Sequence, residues 1–277
     1  MSSLEELHSE MASRWTQILA GPIAADIRGS IASGERTLYA LWLCQVAHLT
    51  RHTSAHQALV GTRIAEIDHR YARFCFEHAL EEVGHENMAL HDLRQMGLQA
   101  ASIEALPAPL PETERLTAYL YYVAERGHPA ARLGYSYWAE KCYPFLQPLI
   151  SGVKAKLGLS NTQMTFFVSH STIDEKHGRD VERIVEHVCK TPEDWYSVRR
   201  AMADTLDLSV EIFSAVHAEA QKVAAGTSLY TEFLGCDTRS ARPSAVFTRH
   251  DDRLPTGLTW ESPESITGED ASRAATK

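Results

Sequence analysis

Residues 170–177 read His170-Ser-Thr-Ile-Asp174-Glu-Lys-His177 and place ligand-type side chains at positions i, i+4 and i+7. In an α-helix these positions share one face, so two imidazoles and a carboxylate point in the same direction. Apolar residues recur at helical spacing across 161–189, and the three polar residues fall within or beside that apolar stripe. Burying them without partners would cost on the order of several kcal/mol, a cost that a bound metal removes. The stretch therefore predicts a helix with metal ligands on its buried side; the alternative is a set of core histidines satisfied by hydrogen bonds.

A second group of candidate ligands lies in the segment Glu81-Glu82-Val-Gly84-His85, within a predicted long helix. Glu82 and His85 are three residues apart, the spacing at which one helix of a carboxylate-bridged di-iron bundle presents a Glu and a His. Gly84 lowers helix stability by roughly 1 kcal/mol relative to Ala, so we expect another helix or a substrate to approach closely there. His78 lies one turn before Glu82.

The third group is the segment Gly134-Tyr-Ser-Tyr-Trp-Ala-Glu140-Lys-Cys-Tyr-Pro144. Pro144 has no N–H and cannot donate to the carbonyl of Glu140, so the helix should kink or loosen around that residue. A carboxylate at a loosened turn can bridge two metal ions or shift between them. The alternative is that Glu140 is an exposed residue beside Lys141.

Helical periodicity dominates the chain up to about residue 222, without convincing period-two stretches. Apolar spacing and capping residues predict seven helices, at 3–19, 35–58, 66–96, 111–126, 129–156, 161–189 and 192–222. From about Ala224 onward Gly, Ser, Thr, Pro, Asp and Arg dominate the composition. The sequence therefore predicts an all-α fold, with a helical domain over 1–225 and an irregular, partly disordered arm over 226–277.

The composition excludes several classes of protein. The 277 residues are 44% hydrophobic and carry a net charge of −9, whereas nucleic-acid binding requires clustered Lys and Arg. The N-terminus does not resemble a signal peptide, and the most apolar stretch, Leu38–Leu49, is too short to span a bilayer. The five cysteines are scattered singly, which fits a reducing cytoplasm. We expect a soluble, cytoplasmic protein that binds neither nucleic acid nor membranes.

The three groups together supply three carboxylates and three imidazoles: Glu82, His85, Glu140, His170, Asp174 and His177. Oxygen and nitrogen ligands without thiolate suit Fe or Mn, and imidazole also accepts Zn. Two Fe(II) ions carry four positive charges against three carboxylates, which leaves the predicted site at +1. A positive site with open coordination positions attracts O₂ and an anionic substrate group such as a carboxylate.

The order of these groups resembles that in the haem-oxygenase-like di-iron oxidases and oxygenases over residues 35–222. The matching segments run from Glu81 to Leu93, from Gly134 to Glu140 and from His170 to His177. The resemblance implies a seven-helix fold shared with haem oxygenases and thiaminases, and a homodimer. It also implies two Fe(II) ions per chain, O₂ as co-substrate and a catalytic role for Glu140. The implied substrate is a small molecule, an amino acid or fatty acid that is desaturated, cleaved at a C–C bond or N-oxygenated in natural-product biosynthesis.

The first metal-bearing helix offers two ligand pairs. Some members of the family place the His further from the Glu, which would select Glu81 and His91, ten residues apart, instead of Glu82 and His85. A straight helix turns by about 100° per residue, so His85 and His91 cannot both point at one metal ion. We favour Glu82 with His85.

Other activities of the same fold remain open. A thiaminase-like hydrolase would need a nucleophilic cysteine, for which Cys142 is the candidate. A true haem oxygenase would need an axial histidine on the first helix, where the chain offers His8. A non-catalytic iron-binding protein is the third alternative.

Overall fold

The computed structural model of the chain describes residues 3–235, with the side chains of 169–176 excepted. Its α-helices are α1 (Leu4–Ala20), α2 (Pro22–Ser33), α3 (Arg36–Thr50), α4 (Thr53–Ile64), α5 (His69–Glu81), α6 (Glu86–Gln95), α7 (Pro111–Arg126), α8 (Arg132–Lys141), α9 (Tyr143–Leu157), α10 (Thr165–Val188), α11 (Pro192–Ala224) and α12 (Thr231–Leu234). Short 3₁₀ helices at Ile103–Ala105 and Asn161–Gln163 precede α7 and α10. The part of the chain that is described contains no strand, which confirms the all-α class.

The predicted C-terminal arm is described only at its beginning. Tyr230 is buried, and its hydroxyl donates to the Ala108 carbonyl over 2.6 Å, which anchors the short helix α12 to the helical domain. Residues 236–277 lie outside the described range. Between residues 3 and 235, no helix has the length and apolarity needed to cross a membrane.

Local sequence starts and ends several helices as predicted. At the start of α11 the Asp194 N–H donates to Thr191 Oγ1 over 3.2 Å, and the Thr191 N–H donates to Asp194 Oδ2 over 2.7 Å. This reciprocal capping satisfies backbone donors that have no partner within the helix. Gly158 ends α9 in the left-handed region, with φ of 63°.

The predicted lengths of three helices were wrong. The structure divides 35–58 at residues 51–52, 66–96 at residues 82–85 and 129–156 at residue 142. The second break coincides with Gly84, whose φ of 86° is incompatible with a right-handed helix. The third follows from Pro144, and α8 ends at Lys141, so the predicted loosening around Glu140 is confirmed.

The prediction also missed α2. Pro22 occupies its first turn and Gly34 follows its end with φ of 78°, which are the usual boundary residues of a helix. Only three of its residues are buried. Both the boundary signals and an apolar residue at every fourth position, Ile23, Ile27 and Ile31, were present in the sequence.

The packing of α8 against α11 and α10 brings the three candidate ligand segments together. The 33-residue helix α11 packs on α3, α7 and α8. Gly134 allows the approach of α8, because a Cβ atom there would lie 2.6 Å from the backbone nitrogen of Met202. Helix α8 also packs on α10, and α10 packs on α5. The resulting position of α8 is internal, with seven of its ten residues buried.

Candidate metal centre

Four side chains from three segments form a buried cluster: His78, Glu82, Glu140 and His177. Each offers one ligand atom, and these atoms all lie within 4.8 Å of one another. His78 lies on α5 and Glu82 directly after its end, Glu140 lies in the last turn of α8, and His177 lies on α10. None of the four residues is more than 8% exposed. We refer to this set as the four-residue cluster.

Glu140 connects the two imidazoles of the cluster. His78 Nε2 donates to Glu140 Oε1 over 3.2 Å, and His177 Nδ1 lies 3.6 Å from Glu140 Oε2. Burial alone would raise the pKa of Glu140, but the interactions with His177 and His78 together outweigh burial and lower the pKa to about 2. The carboxylate is therefore ionised at neutral pH, and each of its oxygens faces a different nitrogen ligand.

Two further ionisable side chains extend the cluster. His85 Nδ1 lies 3.0 Å from Glu82 Oε2, and His177 Nε2 lies 3.4 Å from Glu81 Oε2. Burial lowers the pKa of His85, but the contact with Glu82 and the negative charges of Glu82 and Glu140 together outweigh burial and raise it. The contact with Glu140 likewise raises the pKa of His177 against the effect of burial. Three carboxylates and three imidazoles thus form one connected group around His177.

The break between α5 and α6 brings Glu82 and His85 together. Gly84 was expected to allow a close approach by another element, but a Cβ there would meet only the Asn87 side chain, at 3.2 Å. Its positive φ is the physical reason for a glycine at this position, because the left-handed region is costly for other residues. The turn, rather than a continuous helix, holds the Glu–His pair.

The residues present fit an iron site. The cluster offers two carboxylates and two imidazoles without a thiolate, a donor set that suits iron and manganese, and imidazole also suits zinc. His78 Nδ1 is buried and has no hydrogen-bond partner among the described residues. An unpartnered buried nitrogen beside two carboxylates is costly unless a ligand or ion satisfies it.

The structure brings together three of the six predicted ligands, Glu82, Glu140 and His177. A fourth, His85, contacts Glu82 from outside the four-residue cluster. The other two, His170 and Asp174, have side chains outside the described set.

Sequence reasoning did not include His78 among the ligands. Its position four residues before Glu82, on the same helix face, was the available signal. The alternative ligand His91 contacts the Thr162 carbonyl at 3.1 Å, whereas Glu81 does contact His177.

The cluster borders a cavity of about 970 Å³. Aromatic side chains form much of its wall: Trp42, Tyr135, Trp138, Phe166, Phe167 and Phe213. An adjacent pocket of about 690 Å³, lined almost wholly by aliphatic and aromatic residues, shares Trp42, Leu146, Phe167 and Phe213 with this cavity. The arrangement places charged ligands at one side of a mostly apolar space.

The residues of the two alternative activities occupy different places. Cys142 lines the same cavity, and its thiol donates to the Ala139 carbonyl over 3.3 Å. His8 is exposed on α1, where its Nδ1 lies 3.5 Å from the Tyr137 hydroxyl. An exposed imidazole on this helix does not form a buried axial-ligand position.

A family model described as an iron-containing redox enzyme matches residues 40–210 of the chain. A solved domain of unknown function with a haem oxygenase-like fold, from Shewanella denitrificans OS217, is 38% identical, with a TM-score of 0.76 over 82% of this chain and 97% of that chain. A comparison with curated proteins finds no match.

Two more distant structures support the fold alone. A TenA homologue from Pyrococcus furiosus is 15% identical, with a TM-score of 0.60 over 76% of this chain and 98% of that chain. A TenA homologue from Pseudomonas syringae pv. tomato DC3000 is 11% identical, with a TM-score of 0.63 over 76% of this chain and 91% of that chain.

Proposed function

Since the chain belongs to the family of iron-containing redox enzymes and has a haem-oxygenase-like fold, we propose that it is an O₂-activating non-haem di-iron oxidase or oxygenase. The observation that carries the proposal is the four-residue cluster, in which two carboxylates and two imidazoles meet in a buried site. Fe(II) held by these residues would supply electrons to O₂.

The ligands for two ions come from more than the four-residue cluster. His78, Glu82, Glu140 and His177 account for one compact set of donors. Glu81 and His85 contact that set directly, and the predicted ligands His170 and Asp174 precede His177 by seven and three residues. Glu140 would hold iron together with His78 and His177, because its two oxygens face these two imidazoles.

The walls of the cavity favour an apolar substrate with one acidic group. Two Fe(II) ions would carry four positive charges and balance the four carboxylates Glu81, Glu82, Glu140 and Asp174, and an open coordination position would then attract the anionic group. The apolar pocket beyond Trp42, Phe167 and Phe213 offers space for an alkyl or aryl portion. A fatty acid or an amino acid with a large apolar side chain is the class that fits both features.

The direct test is anaerobic titration of the purified protein with Fe(II), followed by exposure to O₂ in the presence of fatty acids and amino acids. We expect up to two iron ions per chain, no haem, and O₂ uptake that a matching substrate accelerates. Stoichiometric haem after purification, or iron binding without O₂ consumption under every condition, would contradict the proposal.

A hydrolase is the second candidate, because Cys142 lines the cavity that borders the cluster. A nucleophilic thiol would be essential for that reaction, whereas the iron-dependent reaction does not use it. Cys142→Ala should therefore retain most of the iron-dependent O₂ uptake. Complete loss of turnover, with normal iron content, would favour the hydrolase.

A further inference from the structure

A buried arginine lies two helical turns before Glu140 on α8. Arg132 is 1% exposed, and no carboxylate among the described side chains lies within 4.0 Å of its guanidinium. Its Nε donates to His56 Nδ1 over 3.1 Å, its Nη1 donates to Ser136 Oγ over 2.7 Å, and its Cζ lies 4.3 Å from the centre of the Tyr135 ring. All of these partners are neutral side chains or an aromatic face.

The surroundings leave the positive charge of Arg132 without a directly paired anion: Glu82 acts on it only through electrostatics at longer range. Burial and the neighbouring guanidinium lower the pKa of His56 well below its usual value, so this imidazole is neutral and accepts at Nδ1. Burial also lowers the pKa of Arg132, yet a guanidinium remains protonated in proteins. Arg132 Nη2 has no hydrogen-bond partner within the described residues. A buried cation of this kind is costly unless an anion lies nearby.

Ser136 connects this charge to the cavity. Its Oγ accepts from Arg132, and its own hydroxyl hydrogen has no acceptor among the residues described. Ser136 lines the cavity of about 970 Å³ together with Glu140, which follows it by one helical turn. The hydroxyl therefore has a free donor beside the metal ligands, polarised by a cation behind it.

We infer that Ser136 donates a hydrogen bond to the carboxylate of the substrate, and that Arg132 is the positioning residue that orients Ser136 and supplies the opposite charge. This subsite rests on the proposed function, because Glu82 and Glu140 would repel an anion until metal ions neutralise them. It places the acidic group of the substrate next to Glu140 and leaves the apolar remainder for the aromatic part of the cavity.

The test measures binding rather than turnover. Hexanoate and its neutral analogue hexanamide are titrated calorimetrically into the anaerobic Fe(II)-loaded protein. The wild-type protein should bind hexanoate more tightly than hexanamide, and Ser136→Ala should weaken hexanoate binding by about tenfold, the value of a hydrogen bond to a charged group. Hexanamide binding should change by less than the hexanoate binding.

Ser209 provides the matched control. It is a buried serine that lines the same cavity, but its Oγ already donates to the Thr205 carbonyl over 2.7 Å. Ser209→Ala should therefore leave hexanoate binding unchanged. Equal affinities in wild-type, Ser136→Ala and Ser209→Ala would overturn the subsite, as would equal losses in the two variants.

Variants of Arg132 test its charge separately. Arg132→Met should abolish the preference for hexanoate over hexanamide, and Arg132→Lys should restore part of it, an outcome that a merely structural role would not produce. If Arg132→Met does not fold, the comparison between Ser136 and Ser209 still decides the matter. Failure of the proposed function would show as absent O₂ uptake, whereas failure of this subsite would show as unchanged hexanoate affinity in protein that has bound iron.

Discussion

Asp92 holds the start of α10, the helix that carries His177, and its removal has a calculable effect. Its side chain on α6 is fully buried, at 0% exposure. Oδ1 accepts from the Thr165 N–H over 2.8 Å and from Thr165 Oγ1 over 2.7 Å, and Oδ2 accepts from the Phe166 N–H over 3.0 Å. The carboxylate therefore satisfies two of the backbone donors that have no partner within α10.

Asp92→Ala should lower the free energy of unfolding by about 2–6 kcal/mol, because each of two backbone N–H groups then loses its acceptor at about 1–3 kcal/mol. Asp92→Asn should cost about 1–3 kcal/mol, since one oxygen remains for Thr165 and only the bond to Phe166 is lost. Urea denaturation followed by circular dichroism measures both values. Asp204 is the control: it is partly exposed, accepts one hydrogen bond, from the Tyr119 hydroxyl over 2.8 Å, and lies 3.6 Å from Arg200 Nε, so its Ala variant should lose about 1 kcal/mol.

The ionisation of Asp92 makes the Asn variant sensitive to pH. Burial raises the pKa of Asp92, and the hydrogen bonds from Thr165 and Phe166 reduce this effect without cancelling it. Because the pKa of Asp92 is raised in the folded state, protonated Asp92 favours the folded state. This contribution to stability is fully present below the unfolded pKa and is lost as the pH rises through the folded pKa. The loss in free energy of unfolding caused by Asp92→Asn should therefore be smaller at neutral pH than near the unfolded pKa of about 3.9.

Iron affinity provides the functional readout for Asp92. Because α10 positions His177, we expect Asp92→Ala to bind Fe(II) more weakly than Asp204→Ala in anaerobic titrations. The reasoning is refuted if Asp92→Ala loses less than about 1 kcal/mol, or if the Ala and Asn variants are equally stable at neutral pH.

Three further predictions concern the cluster and its supports. His78→Ala should reduce the iron content and abolish O₂ uptake, whereas His91→Ala should change neither; metal analysis of the two variants would contradict the four-residue cluster if the effects were reversed. Gly84→Ala should cost about 1–2 kcal/mol in chemical denaturation, because Ala is strained at φ of 86°, and an unchanged stability would mean that the turn has rearranged. Burial raises the pKa of Asp68, but hydrogen bonds from the Tyr71 N–H and His187 outweigh it and lower the pKa. This contribution to stability is lost as the pH falls through the folded pKa, so the acid-induced fall in melting temperature should be smaller in Asp68→Asn; an equal fall would contradict the linkage.

Helix type and several helix ends could be predicted from short-range chemistry. The capping pair Thr191 and Asp194, the left-handed Gly158 and the loosening before Pro144 all depend on residues within one or two turns. Such features are local, so the sequence contains all the atoms that decide them. The break between α3 and α4 could not be predicted in this way, because residues 50–53 contain neither Gly nor Pro.

Some residues of the candidate site could likewise be predicted from local sequence, and others could not. Spacing within one segment identified Glu82 with His85, and proline chemistry drew attention to Glu140. The membership of His78 could not be ranked above that of other histidines, because its selection depends on a contact with Glu140, 62 residues away in sequence.

The sequence by itself determined the helical class, the chemistry of the ligand segments and the local loosening at Glu140, since each depends on neighbouring residues in the chain. Only the tertiary structure decided that α5, α8 and α10 meet, and that His78 and Glu81 join the group around His177. It alone showed that Arg132 is buried with no carboxylate within 4.0 Å of its guanidinium among the described side chains. The physical reason is that burial and electrostatic environment arise from packing between distant segments, and periodicity along one helix contains no information about which faces meet.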